Sequence, residues 1–487
     1  MRISLLILVT VLLSGSAWAT HNRAGEICYK HVSGTTFEFT LITYTDPSSP
    51  AHDARDSLTI VFDANNPAAT SKRVPRVRQI PIIAGEITRN EYVTTWTFPG
   101  PTCYTVYMED PNRVEGVCNM ANGASVNVPF YLETIICIRN PINLGYNNSA
   151  DLLYPPIDFA EVGVPFEHNP NAFDPDGDSL VYRLSPSFAG YRDTVPQFEY
   201  PHIYDDCGAS FDLDPLTGQL TWDAPCQECI YNFGIVVEEW RNGIFMGSKL
   251  RDLQVFVRNT NNNPPVITAV ADTCIIAGES LQLIVSASDP DGDNVELSAT
   301  GGPFAVPESP ATFPTVSGGS TVSQLFEWNT VCSHIRDNFY QVVFRASDDF
   351  SIGPDEVPLT DLKSLLITVV APAPKNLTAN PIGNRVELRW DSLYSCFNAP
   401  NFRKFTVWRK LGCDSDFVFD VCQRGLGGTD YALIGEIENG LHRFTDTDVV
   451  RGPVYAYRVV AEFAESPAGS SSLFNEIGSR PSDAACA

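Results

Sequence analysis

Two copies of the pentad Asp-Pro-Asp-Gly-Asp are the residues of this chain best suited to chemistry: Asp174, Asp176 and Asp178, then Asp289, Asp291 and Asp293. Three carboxylates within five residues repel one another unless solvent or a cation compensates, and hard Ca2+ takes about six to eight oxygen ligands of this kind. Between the pentads lies Asn259-Thr-Asn-Asn-Asn-Pro-Pro-Val-Ile267, whose Asn261 and Asn263 offer further side-chain carbonyls. Each pentad is expected to be a loop built around calcium. The alternative is a polar turn in which Asp side chains cap backbone N–H groups and the Gly takes a positive φ. An EF-hand is disfavoured, because Gly falls one position early and the twelfth positions are Ser185 and Thr300, not a bidentate Glu.

Other constellations offer little chemistry. His21, His31, His52, His168, His202, His334 and His442 are scattered without metal spacing, and no G-x-S-x-G elbow occurs. Cys226-Gln-Glu-Cys229 has redox spacing but no βαβ context, so it is expected to be structural. The paired carboxylates Glu238-Glu239 and Asp348-Asp349 sit in strand-like runs, where neighbours point to opposite faces. Their matching placement makes them further candidates for calcium or for a solvated strand end. The chain is expected not to be an enzyme.

The elements that must position these loops read as strands. Thr36–Thr45, Tyr92–Phe98 and Cys103–Met108 concentrate β-branched and aromatic residues, and 36 Pro and 33 Gly punctuate the chain. A string of β-sandwiches with very little helix is expected. Residues 1–19 have the form of a secretory signal, with Arg2, an apolar run from Leu5 to Leu13, and Ala17 and Ala19 before the cut. No other run is long and apolar enough to span a bilayer. Removing Arg2 leaves 31 basic against 58 acidic residues, a net charge of −27 that excludes nucleic acid as a partner and favours divalent cations.

Export allows the 13 cysteines to form disulfides. Cys103 with Cys118 and Cys413 with Cys422 have the spacing of local staples, and Cys274 with Cys332 would tie an early strand to a later one. Cys28 and Cys137 are the other candidates in the first segment, and the odd cysteine is expected in the second. Spacing alone does not fix the connectivity.

An internal repeat sets the boundaries. The pentads are 115 residues apart, Trp222 and Trp328 each precede a Cys by four, and Asn232-Phe233 matches Asn338-Phe339. The expected domains are 20–145, 146–262, 263–371 and 372–487. Phe173 to Tyr182 followed by Phe211 to Trp222 resembles the cadherin-like, immunoglobulin-like repeats of bacterial surface proteins. The Asn259–Ile267 linker is similar to the cadherin pattern D-x-N-D-N-x-P-x-F, with Asn259 and Asn262 where that pattern has Asp. From about Ala371 the chain resembles a fibronectin type III domain, with Trp390 as core tryptophan, Phe405–Arg409 as central strand and Tyr455–Val460 holding the corner Tyr.

This combination looks like the gliding-motility-associated surface proteins of Bacteroidota, which are cargo of type IX secretion. The resemblance implies a C-terminal sorting domain, which this sequence does not show, so a fragment of a longer protein is expected, with secretion machinery as a partner of the whole. The implied role is a secreted or cell-surface, calcium-stiffened adhesive stalk or spacer that meets cell-surface proteins or glycans. The competing role is a set of glycan-binding accessory modules of an extracellular polysaccharide-degrading system, which exposed coplanar aromatics would favour.

Overall fold

Alternating residues make strands along nearly the whole chain. The computed structural model describes residues 22–49, 55–83, 87–352, 355–414, 419–438, 440–466 and 470–487, so the signal sequence expected at 1–19 lies outside the described residues. Thr36–Thr45 is a strand with those bounds, the second run lies in strand Ile87–Thr97 except for Phe98, and the third lies in strand Cys103–Asp110. The α-helices among the described residues are single turns such as Pro141–Leu144 and Pro201–Asp205, each opened by a Pro. The fold is all-β.

The N-terminal segment departs from expectation. It does not form a sandwich of its own. Strands Asn22–Ser33, Thr36–Thr45, Ile87–Thr97, Ser71–Ile83, Ser57–Val61, Cys103–Asp110 and Phe130–Cys137 neighbour one another in that order, and strand Ile244–Arg258 then closes the ring. That last strand pairs Gly247–Lys249 with Ile136–Thr134, and Asp252 with Gly25 of the first strand. Phe37, Phe39, Ile60, Val106 and Leu132 fill the interior. At the closure only glycine fits: a Cβ on Gly25 would lie 2.5 Å from the Ile42 carbonyl oxygen and 2.7 Å from Leu132 Cδ1.

The closing strand also founds the second unit. Its opposite edge pairs along its length with Cys229–Arg241, which continues to Ser179–Ser185. Its last residues pair in parallel with Ile157–Glu161. The small sheet of Phe166–His168, Leu220–Trp222 and Phe211–Leu213 shares a core with these strands around Trp222, Tyr231 and Phe233. One strand thus crosses the expected border at 145/146.

The two later segments each pair a three-stranded sheet with a five-stranded one. Their apolar cores are contiguous, running from Trp328 and Phe344 through Ala371 to Trp390, Phe405 and Tyr457. Trp390 is buried, and Tyr457 Oη donates to Asp446 at 3.0 Å.

Six disulfides form, and their connectivity corrects the local staples. Cys103 bonds Cys137, its register partner across the Cys103–Asp110 and Phe130–Cys137 ladder, so Cys118 is left to bond Cys229. Cys226 of the C-x-x-C pairs with Cys207, not Cys229. Cys274 bonds Cys422 and Cys332 bonds Cys396, both across 371/372, while Cys413 bonds Cys486. The odd cysteine is Cys28, in the first segment, where it is no disulfide partner.

Candidate cation sites at the two carboxylate loops

The two pentads adopt the same turn. Asp174 Oδ1 accepts the backbone N–H of Asp176 at 2.9 Å and of Asp178 at 3.0 Å, and Asp289 Oδ1 accepts those of Asp291, Gly292 and Asp293 at 2.8 to 3.0 Å. Gly177 and Gly292 take φ of 84° and 94°, a region in which a Cβ is strained. The capped-turn geometry is therefore present in both loops. It leaves one oxygen over: Asp174 Oδ2 and Asp289 Oδ2 are buried without a hydrogen-bond partner.

Each loop is approached by an Asn-Asn pair and one late carboxylate. Asn148 donates its backbone N–H and Nδ2 to Asp176 at 2.6 and 2.7 Å, and Asn263 does the same to Asp291. Asn147 Nδ2 reaches Glu239 at 2.6 Å, and Asn262 Nδ2 reaches Asp348 at 2.8 Å. Asn262 Oδ1 is a further buried oxygen without a partner. Asn261, offered as a ligand by the sequence, is exposed with φ of 62°, and its backbone N–H donates to Glu161 Oε1 at 2.8 Å. Glu239 and Asp348 turn inward, whereas Glu238 meets Arg183 and Asp349 takes the exposed Asn294, as opposite faces require.

The loops differ in where positive charge comes from. At the first, the buried Arg241 guanidinium clamps Asp178 with Nε at 2.6 Å and Nη2 at 2.8 Å, and stands 3.5 Å from Asp176. Its other donors reach the carbonyls of Leu144 and Tyr146. At the equivalent offset after Asp348 the second loop has Phe350, and among the described residues no lysine or arginine forms an ion pair with Asp289, Asp291, Asp293, Asp348 or Asp349. Burial first, and then neighbouring carboxylates, holds Asp174 well above the usual range and raises Asp293. Burial likewise pushes Glu239 up to about 7 and Asp348 up to about 6. Raised carboxyls gather at the first loop, on Asp174, Asp176, Asp178 and Glu239, and the second loop differs in having no basic partner among the described residues. Its oxygens, hard donors throughout, are of the kind Ca2+ takes, and Asp289, Asp291, Asp293, Asp348 and Asn262 are the residues that would hold it; the carboxylates already gathered within 4.8 Å of one another are those of the first loop, Asp174, Asp176 and Asp178.

The first loop is also a meeting point. The Gly177 carbonyl accepts from Asn338 Nδ2 at 3.0 Å and Asn475 Nδ2 at 2.8 Å, so the third and fourth segments both grip it. A Cβ on Gly177 would lie 2.5 Å from Glu465 Oε2. Arg241 faces the Phe474 ring at 5.3 Å. Buried pairs Arg113–Asp252 and Arg251–Glu26 bind the first segment to the closing strand.

Sequence reasoning missed Asn147, Asn148 and Arg241. The signal was present for all three: Asn147-Asn148 precedes Asn262-Asn263 by the same 115 residues that separate the pentads, and Arg241 against Phe350 is visible once Glu239 is set beside Asp348.

No protein-family model and no curated protein matches the chain. Among solved structures it is similar to a tandem immunoglobulin-domain pair of titin, at 10% identity over 44% of this chain and 93% of that one, with a TM-score of 0.15. It is also similar to tandem immunoglobulin repeats of Dlar, at 12% identity over 45% and 96%, with a TM-score of 0.19. At these scores the likenesses carry no functional argument.

Proposed function

We propose that the chain is a non-enzymatic extracellular spacer or adhesive stalk whose border near residue 262 is stiffened by calcium. The observation that carries this is the pair of orphaned buried oxygens, Asp289 Oδ2 and Asn262 Oδ1, among carboxylates without a basic partner. At the first loop Arg241 takes the cation's part. Six disulfides support an oxidising location outside the cytoplasm. Among the described residues no helix is long and apolar enough to cross a membrane. Association with gliding motility and type IX export rests on the sequence resemblance, and the partners are surface proteins or glycans. The glycan-module reading has less support: among the described residues Tyr204 is the exposed aromatic, while Trp222, Trp328 and Trp390 are core.

The test is thermal unfolding of the full mature chain with calcium or chelator. A ligand bound only by the folded state stabilises it by about 2.7 kcal/mol at a hundred times its Kd. Calcium should raise the melting temperature, Asp289→Ala should abolish the rise, and Asp174→Ala should keep it. No rise in the wild type leaves the pentads as capped turns and sinks the proposal.

A further inference from the structure

Twelve of the thirteen cysteines are in disulfides, and the thirteenth, Cys28, faces a lysine. Its Sγ lies 3.2 Å from Nζ of Lys249. The juxtaposition is set by the barrel closure. Strands Asn22–Ser33 and Ile244–Arg258 meet antiparallel at Gly25 and Asp252, and three residues along each strand from that point stand Cys28 and Lys249, the latter paired through its backbone with Thr134. Lys249 is 1% exposed, and its ammonium is anchored by the Ala150 carbonyl. A thiol is a weak acceptor, so this sulfur is a poor partner for a buried ammonium if hydrogen bonding were its whole role. The neighbouring Glu26 is already taken by Arg251.

We propose that Cys28 and Lys249 are a modification site, joined by oxidation into an Nζ–O–Sγ cross-link with dioxygen as the oxidant. The ammonium first releases its surplus proton to water, a step its surroundings resist: burial favours the neutral amine, but Cys28 and Glu26 beside it hold Lys249 above its usual range. One dioxygen is then consumed. One of its oxygen atoms enters the bridge, forming N–O and O–S bonds. The other leaves as water with the thiol hydrogen and one amine hydrogen. Four electrons pass from sulfur and nitrogen to oxygen, and the balance closes without another reagent. Cys28 is only half-buried, which admits the oxidant, and the strands on either side hold the two atoms in place. From 3.2 Å a one-oxygen bridge asks less movement of them than a direct N–S bond. Reduction by thiols would open the link, as it does other reversible cysteine oxidation products.

The experiment is mass spectrometry of the full chain after aerobic incubation, intact and as peptides, without reductant. The wild type should be about 14 Da heavier than its six-disulfide mass, from one oxygen gained and two hydrogens lost. The Cys28 and Lys249 peptides should run as one species that separates with dithiothreitol. Cys28→Ser should show no added mass. Lys249→Arg, which keeps the buried cation, should show none and leave Cys28 open to iodoacetamide. The proposal is overturned by wild-type Cys28 that alkylates fully, by an oxygen added to Cys28 alone, or by a linked species lighter by two hydrogens.

Discussion

Replacing Arg241 with Met should turn the first loop into a cation-dependent one. The side chain is 1% exposed and holds Asp178 through two bonds, at 2.6 and 2.8 Å, with carbonyl contacts to Leu144 and Tyr146 behind them. Breaking such a pair from one side leaves a buried charge unpaired and costs about 3 to 5 kcal/mol. For a cooperative block of roughly 150 to 250 residues, each kcal/mol moves the melting temperature by about 2 to 4 °C, so a drop of roughly 6 to 20 °C in chelator is expected. With Arg241 gone, the loop matches the second one: carboxylates, an orphaned first-Asp oxygen, and no internal cation. Saturating calcium should then restore about 2 to 3 kcal/mol to the variant beyond what it gives the wild type. Differential scanning calorimetry of both proteins, in calcium and in chelator, reads all four values. A variant as stable as wild type in chelator, or a calcium increment equal in the two proteins, would refute the argument that the guanidinium does a cation's work.

Three more expectations follow from the same geometry. Glu239 sits near 7 in the fold against a usual value of about 4.3, so its contribution is complete below that usual value and is lost as pH rises through 7. The melting temperature in chelator should fall between pH 5 and 7.5, and Glu239→Gln should flatten that slope; an upward slope shared by both proteins contradicts it. Gly25→Ala must push back the Ile42 carbonyl and Leu132, an overpacking cost of about 1 to 3 kcal/mol that urea unfolding would register. Removing the Cys332–Cys396 bond by Ser substitution opens a 64-residue loop, worth about 4 kcal/mol of chain entropy, and limited proteolysis should then cut sooner near residue 372.

The local chemistry of this chain was legible in its sequence, and the long-range closure was not. Strand content, the repeat, and the turn at each pentad follow from residue type and short spacing, which is why Thr36–Thr45 forms with the expected bounds and Gly177 and Gly292 take positive φ. The inward set of Glu239 and Asp348 follows from strand alternation. Nothing local says that Lys249 will pair with Thr134, or that Cys118 will find Cys229 across 111 residues. Those partners are fixed by which sheet edge each strand joins. Arg241 lay between the two cases: its position was readable from the repeat, but only the fold shows its guanidinium reaching Asp178.

The strand that closes the N-terminal ring comes late in the chain, and this constrains the order of events when the protein is made. Gly25 of Asn22–Ser33 pairs with Asp252, and once Phe130–Cys137 has been made both edges still wait for about a hundred more residues. At about 5 to 20 residues per second, that delay is roughly 5 to 20 s. Throughout it the half-built ring has two open edges, each able to pair with the wrong chain. Folding of the first segment is thus tied to delivery of the second, and the species most prone to aggregate is the nascent chain that ends before Ile244.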